Sequence, residues 1–124
     1  MRQMELWPTL TEKYIYKICA KAEWDSAVAA GVYNGSRIDE KSGFIHFSTA
    51  EQAVETASKH FFGIHGLVLI KIDSESLGDA VKWEKSRNDA LFPHLYGPLQ
   101  PGNAEWAADL PIGDDGTHVF PPTD

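Results

Sequence analysis

Cysteine is nearly absent from this sequence, which has one, Cys19, among 124 residues. A single thiol cannot form the internal disulfides that stabilise many small secreted domains. Long apolar runs are absent too, since the longest, residues 67–70, is far below the roughly 20 residues needed to cross a bilayer. The N-terminus has neither the apolar stretch nor the small-residue cleavage site of a secretory signal. These absences predict a cytoplasmic protein without a membrane span.

Positive charge is also scarce, because 11 Lys and Arg residues accompany 18 Asp and Glu residues, giving a net charge of −7 at pH 7. Proteins that coat nucleic acids gain affinity by neutralising phosphates with clustered basic residues, whereas the basic residues here are dispersed. General nucleic-acid binding is therefore excluded. A small anion site is still allowed, because a few donors at one helix start can hold a phosphate.

The residues that are present are typical of one packed domain. The chain is close to the commonest domain length, and 43% of its residues are hydrophobic. Residues 1–12 show no clear period and contain Pro8, so we interpret them as a loose leader. We expect a single domain over residues 13–120 and a frayed C-terminus at 121–124.

Periodicity predicts strands alternating with helices. The continuous apolar stretch at residues 67–72 is typical of a central strand covered on both faces. Turn signals at residues 34–36 and 41–43 predict a loop between them. Two prolines in residues 92–98 indicate an edge strand or an irregular surface segment, because proline cannot donate to a sheet ladder. The same reasoning predicts strands at 14–19, 44–47, 81–84 and 104–107, and a short helix between Ala20 and Gly31.

The junction after the second predicted strand has the clearest local pattern. Ser48 and Glu51 have the spacing of a capping box, in which a serine caps a helix and a glutamate reaches back to the cap amide. Gly63 is a candidate stop signal. The pattern predicts a helix from Ala50 to Phe62 that packs on the sheet through one apolar stripe, formed by Ala53, Val54, Ala57 and Phe61.

This junction is also the first candidate site. The free amides and positive dipole of a helix N-terminus at Ser48 and Thr49 suit an anion. Strand alternation places Phe44 and His46 on the face opposite the core, beside that helix start. The alternative is that Ser48 only caps the helix and His46 only packs or meets solvent.

Two later segments offer further candidates. Residues 92–98 present His94 and Tyr96 in a segment stiffened by proline, which suits stacking against a planar ligand. The alternative is a structural edge loop. Glu84 and Arg87 offer a carboxylate and a guanidinium that suit a ribose and a phosphate, with a surface ion pair as the alternative.

Other kinds of chemistry lack support. None of the five histidines forms a sequence-local pair with metal-ligand spacing, apart from His60 and His65 on either side of a glycine, so we predict no metal site. A P-loop, a dinucleotide-binding glycine fingerprint and a nucleophile elbow are absent. Cys19 is expected to be a buried, small apolar residue rather than a nucleophile.

Four segments in the same order resemble a small bacterial family catalogued as domain of unknown function 952, at residues 14–18, 43–49, 83–87 and 92–99. The fold of that family is similar to that of the ADP-ribosyltransferases, including the RNA 2′-phosphotransferases. In those proteins a split, mixed sheet forms a cleft that holds NAD. The resemblance therefore implies an α+β, ADP-ribosyltransferase-like fold with a split mixed sheet flanked by short helices.

The resemblance also implies roles for individual residues. Lys17 on the first strand would be a cation facing the nucleotide. No clear counterpart of the superfamily's late catalytic glutamate is visible, and Glu84 and Glu105 are the candidates. We expect His46 and Glu84 to be catalytic, and we expect nucleotide contacts from Lys17, His46, Ser48, Thr49, Arg87, His94 and Tyr96.

The function implied is binding of NAD or a related nucleotide, with transfer or cleavage of the ADP-ribosyl group. NAD would be a substrate, and the enzyme would be a transferase acting on NAD or on a 2′-phosphorylated nucleotide. The alternative is a noncatalytic module that binds a small ligand or a protein partner in the same cleft. A carboxylate lying in the cleft favours the enzyme, whereas a cleft of His, Tyr and Phe alone favours the binding module.

Overall fold

The computed structural model describes residues 13–86 and 89–123. The predicted leader at residues 1–12 lies outside the described residues. In chain order the helices and strands are β1 (Tyr14–Ala20), α1 (Lys21–Ala30), α2 (Arg37–Ser42), β2 (Ile45–His46), α3 (Ala50–His60), β3 (Leu67–Asp73), β4 (Val81–Lys85), β5 (Leu91–Leu95) and β6 (Ala104–Asp109). No helix in this described part is long and apolar enough to cross a membrane.

The strands form two sheets, ordered β1-β3-β6 and β2-β5-β4. The two sheets meet at a bridge between Tyr16 and Ser48, whose backbone amides donate to each other's carbonyls at 2.7 and 2.9 Å. The α+β prediction is confirmed. The mixed sheet implied by the resemblance is wrong for the described strands, because every pair is antiparallel. Strand direction depends on long-range pairing, which local sequence does not encode.

The core lies on both faces of β3, as its apolar run predicts. Val68, Ile70 and Ile72 belong to one buried cluster with residues of the second sheet and α1. Leu67 and Leu69, on the opposite face, pack in a second cluster beneath α3. Buried apolar area of this kind contributes roughly 25 cal/mol per Å² to folding. Because successive side chains of β3 point to opposite faces, this one strand contributes to both buried clusters.

Cys19 belongs to the first of these clusters, as predicted for a small apolar residue. Burial raises the pKa of its thiol to about 11. The thiolate is the nucleophilic form of cysteine, so this environment makes Cys19 inert near neutral pH.

Helix α3 confirms the predicted amphipathic element, with three local differences. Ala53 and Ala57 are buried against the sheet, but Val54 is 53% exposed because it lies at the side of the stripe. The capping box is formed by Thr49 and Gln52 rather than by Ser48 and Glu51. Ser48 is still held in the bridge to β1, so Thr49 is the first residue free to cap. The helix ends at His60 and is capped by Phe61, before Gly63.

The loop predicted between the two turn signals is wrong, because residues 37–42 form α2. Ser36 and Asp39 make a reciprocal capping box, in which the Ser36 hydroxyl accepts from the Asp39 amide and the Asp39 carboxylate accepts from the Ser36 amide. Gly43 ends the helix in the left-handed conformation, with φ of 90°. The helix is short and mostly polar, so it has no apolar stripe that periodicity could detect.

The predicted edge or irregular segment at residues 92–98 is also wrong in part, because β5 is the central strand of the second sheet. Pro93 is tolerated there for a geometric reason. The Phe47 amide donates to the Pro93 carbonyl at 2.9 Å. The Pro93 nitrogen, which carries no hydrogen, faces Phe47 as well. Strand β2 ends at His46, so this position lies at the end of the ladder, where one absent hydrogen bond costs little.

Replacing Gly35 with alanine is expected to destabilise the protein by at least 1 kcal/mol more than the same change at Gly31. Both glycines have positive φ, +100° at Gly35 and +83° at Gly31. A Cβ at Gly35 would lie 2.6 Å from the Asp39 Cβ, whereas a Cβ at Gly31 meets nothing within 4 Å. Urea unfolding of both variants measures the difference. Equal losses would contradict the prediction, because they would show that α2 shifts away from the added Cβ without a cost in stability.

Candidate functional site

One face of the second sheet carries a group of rings. Ile45 and Leu95 point into the core, so their strand neighbours project from the opposite face. Four side chains meet on that face, and we call them the ring cluster: Phe44, His46, His94 and Tyr96. The Phe44 ring centre lies 4.6 Å from that of His46, 4.2 Å from that of His94 and 5.2 Å from that of Tyr96.

The two histidines face each other across neighbouring strands. His46 on β2 is the direct partner of His94 on β5, and their ring centres are 5.4 Å apart. The His46 amide donates to Asp39 Oδ1 at 3.1 Å. His46 and His94 are therefore a non-hydrogen-bonded pair of the ladder. Pairs of this kind bring opposing side chains closest.

The carboxylate of Asp39 contacts His46 at the edge of the second sheet. Its Oδ1 is 2.7 Å from His46 Nδ1, and its Oδ2 accepts from Lys17 Nζ at 2.7 Å and from the Ser36 amide at 2.8 Å. The carboxylate and the lysine side chain are both almost fully buried. Lys17, Asp39 and His46 thus form a continuous polar chain that runs from β1 through α2 to β2.

Asp39 is ionised in this setting. Burial raises the pKa of its carboxyl, but the hydrogen bond with His46 and the charge of the Lys17 ammonium together outweigh burial, and the pKa lies well below its ordinary value. A carboxylate accepts hydrogen bonds and cannot donate them. His46 Nδ1 is therefore the donor in its contact with Asp39.

The depressed pKa of Asp39 predicts a specific loss of stability in acid. In the unfolded chain the carboxyl takes up a proton near its ordinary pKa of 3.8, whereas the folded carboxyl resists protonation. The stabilisation is therefore complete above about pH 4 and is lost as the pH falls toward the folded pKa. The ¹³C shift of the Asp39 carboxyl is expected to stay at its ionised value down to about pH 3. A titration midpoint close to that of an unfolded aspartate would contradict this assignment.

The carboxylate of Glu84 contacts His94 Nδ1, as that of Asp39 contacts His46 Nδ1. Its Oε1 is 2.7 Å from His94 Nδ1 and accepts from the Tyr96 hydroxyl at 2.8 Å. The hydrogen bond from His94, followed by that from Tyr96, lowers the pKa of the Glu84 carboxyl. The hydrogen bond to Glu84 raises the pKa of the Tyr96 phenol. Glu84 pairs with Phe92 in the register, so His94 is its diagonal neighbour on the same face.

A cavity of about 240 Å³ adjoins the ring cluster. Its lining includes Asn34, Glu40, Phe44, Gly97 and Pro98. Ligand pockets for drug-sized molecules are about 300–1,000 Å³, so this cavity fits one ring or one sugar rather than a whole dinucleotide.

The structure brings together four of the predicted site residues: His46, Glu84, His94 and Tyr96. Lys17 lies behind Asp39, buried, with its charge directed at that carboxylate rather than at the surface. Ser48 is buried, and its hydroxyl lies 3.4 Å from that of Thr56. The Thr49 hydroxyl accepts from the Gln52 amide as a helix cap. Arg87 lies outside the described residues, and Glu105 is exposed on β6, in the other sheet.

Sequence reasoning missed Asp39, which orients His46, and gave no defined role to Phe44, which touches all three other rings. Asp39 lay in a segment expected to be a loop. The spacing of Ser36 and Asp39 is that of a capping box with aspartate in place of glutamate, and this signal could have revealed α2. The contacts of Phe44 depend on strand pairing, which no local signal gives.

These features define a class: an α+β domain with two antiparallel sheets, one of which carries a face of paired histidines oriented by carboxylates. The family model described as "Protein of unknown function (DUF952)" matches residues 18–107. The chain belongs to this family, which confirms the family resemblance of its sequence.

Solved structures of one bacterial protein share this architecture. The crystal structure of protein CC0527 from Caulobacter crescentus is 49% identical, with a TM-score of 0.82, over 86% of this chain and 93% of that chain. The solution NMR structure of CC0527 is 50% identical, with a TM-score of 0.78, over 85% of this chain and 90% of that chain. No curated protein matches the chain.

Proposed function

We propose that this chain binds NAD or a related nucleotide at the ring cluster and cleaves or transfers its ADP-ribosyl group. The observation that carries the proposal is the position of Glu84. This carboxylate lies among the rings, with Oε1 engaged by His94 and Tyr96 and with a side chain that is 39% exposed. A carboxylate held beside such rings favours an enzyme over a passive binding module.

The rings provide the binding surface in this proposal. Tyr96 is 41% exposed and Phe44 is partly exposed, so both can pack against a planar base. The side chain of His46 is 38% exposed beside them and supplies a further planar contact. The adjoining cavity takes one ring or one sugar of the nucleotide, and the rest of the ligand lies along the open surface.

Glu84 supplies the chemistry in this proposal. The bond between the ribose C1′ and the nicotinamide nitrogen breaks, and its electron pair leaves with nicotinamide. An oxygen of water or of an acceptor forms the new bond to C1′ and loses a proton. Positive charge develops on the ribose during this step, and a fixed carboxylate stabilises that charge in the transition state.

The resemblance supports the same proposal. Two small sheets joined at the Tyr16–Ser48 bridge fit the split sheet of the ADP-ribosyltransferases. His46, Ser48 and Thr49 lie at a strand-to-helix junction like the one that contacts the nucleotide in the RNA 2′-phosphotransferases. The proposed fold relationship and the proposed ligand are therefore consistent with each other.

A noncatalytic binding module is the second candidate. It is favoured by the position of Lys17, whose charge is neutralised by Asp39 and does not reach the ring cluster. Without that cation the site has less attraction for a nucleotide phosphate than the resemblance implies. Such a module would use the same rings to hold a small ligand or a protein side chain.

Nicotinamide release separates the two candidates. The purified chain is incubated with NAD, with and without RNA bearing an internal 2′-phosphate, and nicotinamide is followed by chromatography. The enzyme proposal predicts release that falls by about 100-fold or more in Glu84→Gln, since one electrostatic group commonly contributes 10²–10³ in rate. Glu105→Gln removes the same charge from an exposed strand position and is expected to behave like the wild type.

Thermal stability in the same samples completes the test. Ligand at about 100 times its Kd is expected to stabilise the fold by about 2.7 kcal/mol. Stabilisation by NAD without nicotinamide release supports the binding module. The absence of both effects, with NAD and the 2′-phosphorylated RNA at millimolar concentration, contradicts the proposed function.

A further inference from the structure

The two carboxylates lie on opposite flanks of the histidine pair. The His46 amide points away from β5 and donates to Asp39, which places Asp39 beyond the outer edge of β2. Glu84 belongs to β4, on the other side of β5. Each histidine turns its Nδ1 outward to its own carboxylate. On an imidazole ring Nε2 lies nearly opposite Nδ1, so the Nε2 of each ring points away from the carboxylate that holds its Nδ1.

The contacts with the carboxylates leave each Nε2 available as a ligand. Asp39 and Glu84 lie 2.7 Å from Nδ1 of their rings, and a carboxylate only accepts a hydrogen bond. Nδ1 of each ring must then carry the proton, which leaves Nε2 of the neutral ring as an acceptor. Within residues 13–86 and 89–123, the hydrogen bonds that hold the two rings are both made through Nδ1.

We propose that the Nε2 atoms of His46 and His94 together ligate a divalent transition metal ion of the Zn²⁺ class. The separation of the rings fits a shared ion. With metal–nitrogen bonds of about 2.0–2.1 Å, two imidazoles on one tetrahedral ion have ring centres roughly 5 Å apart. The observed separation is 5.4 Å, and the ring planes are inclined at 66°.

The surroundings of the rings match those of metal-binding histidines. Such histidines usually donate their other ring N–H to a carboxylate, which fixes the tautomer and makes the ligating nitrogen more basic. Here Asp39 and Glu84 do this for the two rings. Phe44 packs against both imidazoles and provides an apolar wall. Imidazole ligands suit Zn²⁺, Cu²⁺ and Ni²⁺ rather than Mg²⁺ or Ca²⁺, which prefer oxygen.

The site is open. Within the described part of the chain, no group of three or more His, Cys, Asp or Glu side chains is arranged to hold a metal. Two protein ligands leave about two positions of a tetrahedral ion to water or to a substrate oxygen. This inference goes beyond the proposed function and does not rest on it, because the ion binds without a nucleotide.

Zinc binding to the full chain tests the inference directly. The protein is freed of metal with a chelator, and zinc is titrated by equilibrium dialysis without nucleotide. One equivalent is expected to bind at micromolar concentration, and His46→Ala and His94→Ala are each expected to weaken binding at least tenfold. The control replaces both His60 and His65, which are exposed and outside the ring cluster, and is expected to leave the affinity unchanged.

A second measurement does not depend on folding of the variants. In ¹⁵N spectra of the wild-type histidine rings, zinc is expected to move the Nε2 signals of His46 and His94 and to leave those of His60 and His65 in place. Binding that is lost in the His60 and His65 double variant, or Nε2 signals that move only there, overturns the proposal. So does the absence of bound zinc at about 100 µM. Nucleotide binding measured in chelator tests the proposed function separately.

Discussion

Replacing Asp39 with asparagine is expected to lower the free energy of unfolding by about 3–5 kcal/mol, because it leaves a buried charge without its partner. Lys17 Nζ is 2.7 Å from Asp39, and the lysine side chain is only 6% exposed. Asparagine cannot neutralise this ammonium, and it accepts the hydrogen bonds of His46 and Ser36 more weakly than a carboxylate. Urea unfolding at pH 7 measures the loss.

A matched aspartate in an exposed ion pair provides the control. Asp73 also accepts from a lysine, Lys13, and from a backbone amide, but this pair lies at the surface. Exposed ion pairs contribute about 0–1 kcal/mol, so Asp73→Asn is expected to cost far less. The double variant Lys17→Met, Asp39→Asn removes both charges and is expected to be more stable than Asp39→Asn alone. Equal losses for the two single asparagine variants would contradict the role of burial.

Replacing His46 with alanine is expected to weaken nucleotide binding by tenfold to a hundredfold. The variant loses the ring that lies beside the proposed ligand and, where the ring is protonated at both nitrogens and donates through Nε2 to a phosphate, a hydrogen bond of about 1.5–3 kcal/mol. The cost to stability is expected to be about 1 kcal/mol, the net value of its hydrogen bond with Asp39. Without that contact, an outward residue would change stability by about 0.5 kcal/mol or less.

Calorimetric titration with NAD and a thermal melt on the same His46→Ala sample separate the two effects. Asp39 keeps its contacts with Lys17, Ser36 and the residue 46 amide in this variant, so the fold is expected to survive. His60→Ala, at an exposed helix position, is expected to change neither quantity. A large loss of stability with unchanged affinity would assign His46 to the structure rather than to the site.

The local sequence pattern was sufficient to predict the helices and strands whose apolar residues recur with a clear period. The alternating burial of β3 follows from its continuous apolar run, and α3 follows from the spacing of Ala53 and Ala57. Both signals are contained within a dozen neighbouring residues. Helix α2 has no such signal, because six mostly polar residues bury only Asp39. Its cap was the only local clue.

The candidate site depends on information that local pattern does not contain. His46 and His94 are 48 positions apart, and their contact depends on the register between β2 and β5. Alternation did predict that His46 faces away from the core. It could not show that Asp39 lies behind that ring, or that Glu84 reaches His94 across a diagonal. The sequence therefore predicted some of the site residues, but it did not predict which residues they contact.

The most direct test of the account is an NMR titration of the labelled chain with NAD, in chelator, with the aromatic and imidazole signals followed residue by residue. We expect saturable shifts centred on the ring cluster and Glu84, with little change at Trp106 on the other sheet. No saturable shift at millimolar NAD, or shifts centred away from the ring cluster, would contradict the claim that this face is the nucleotide site.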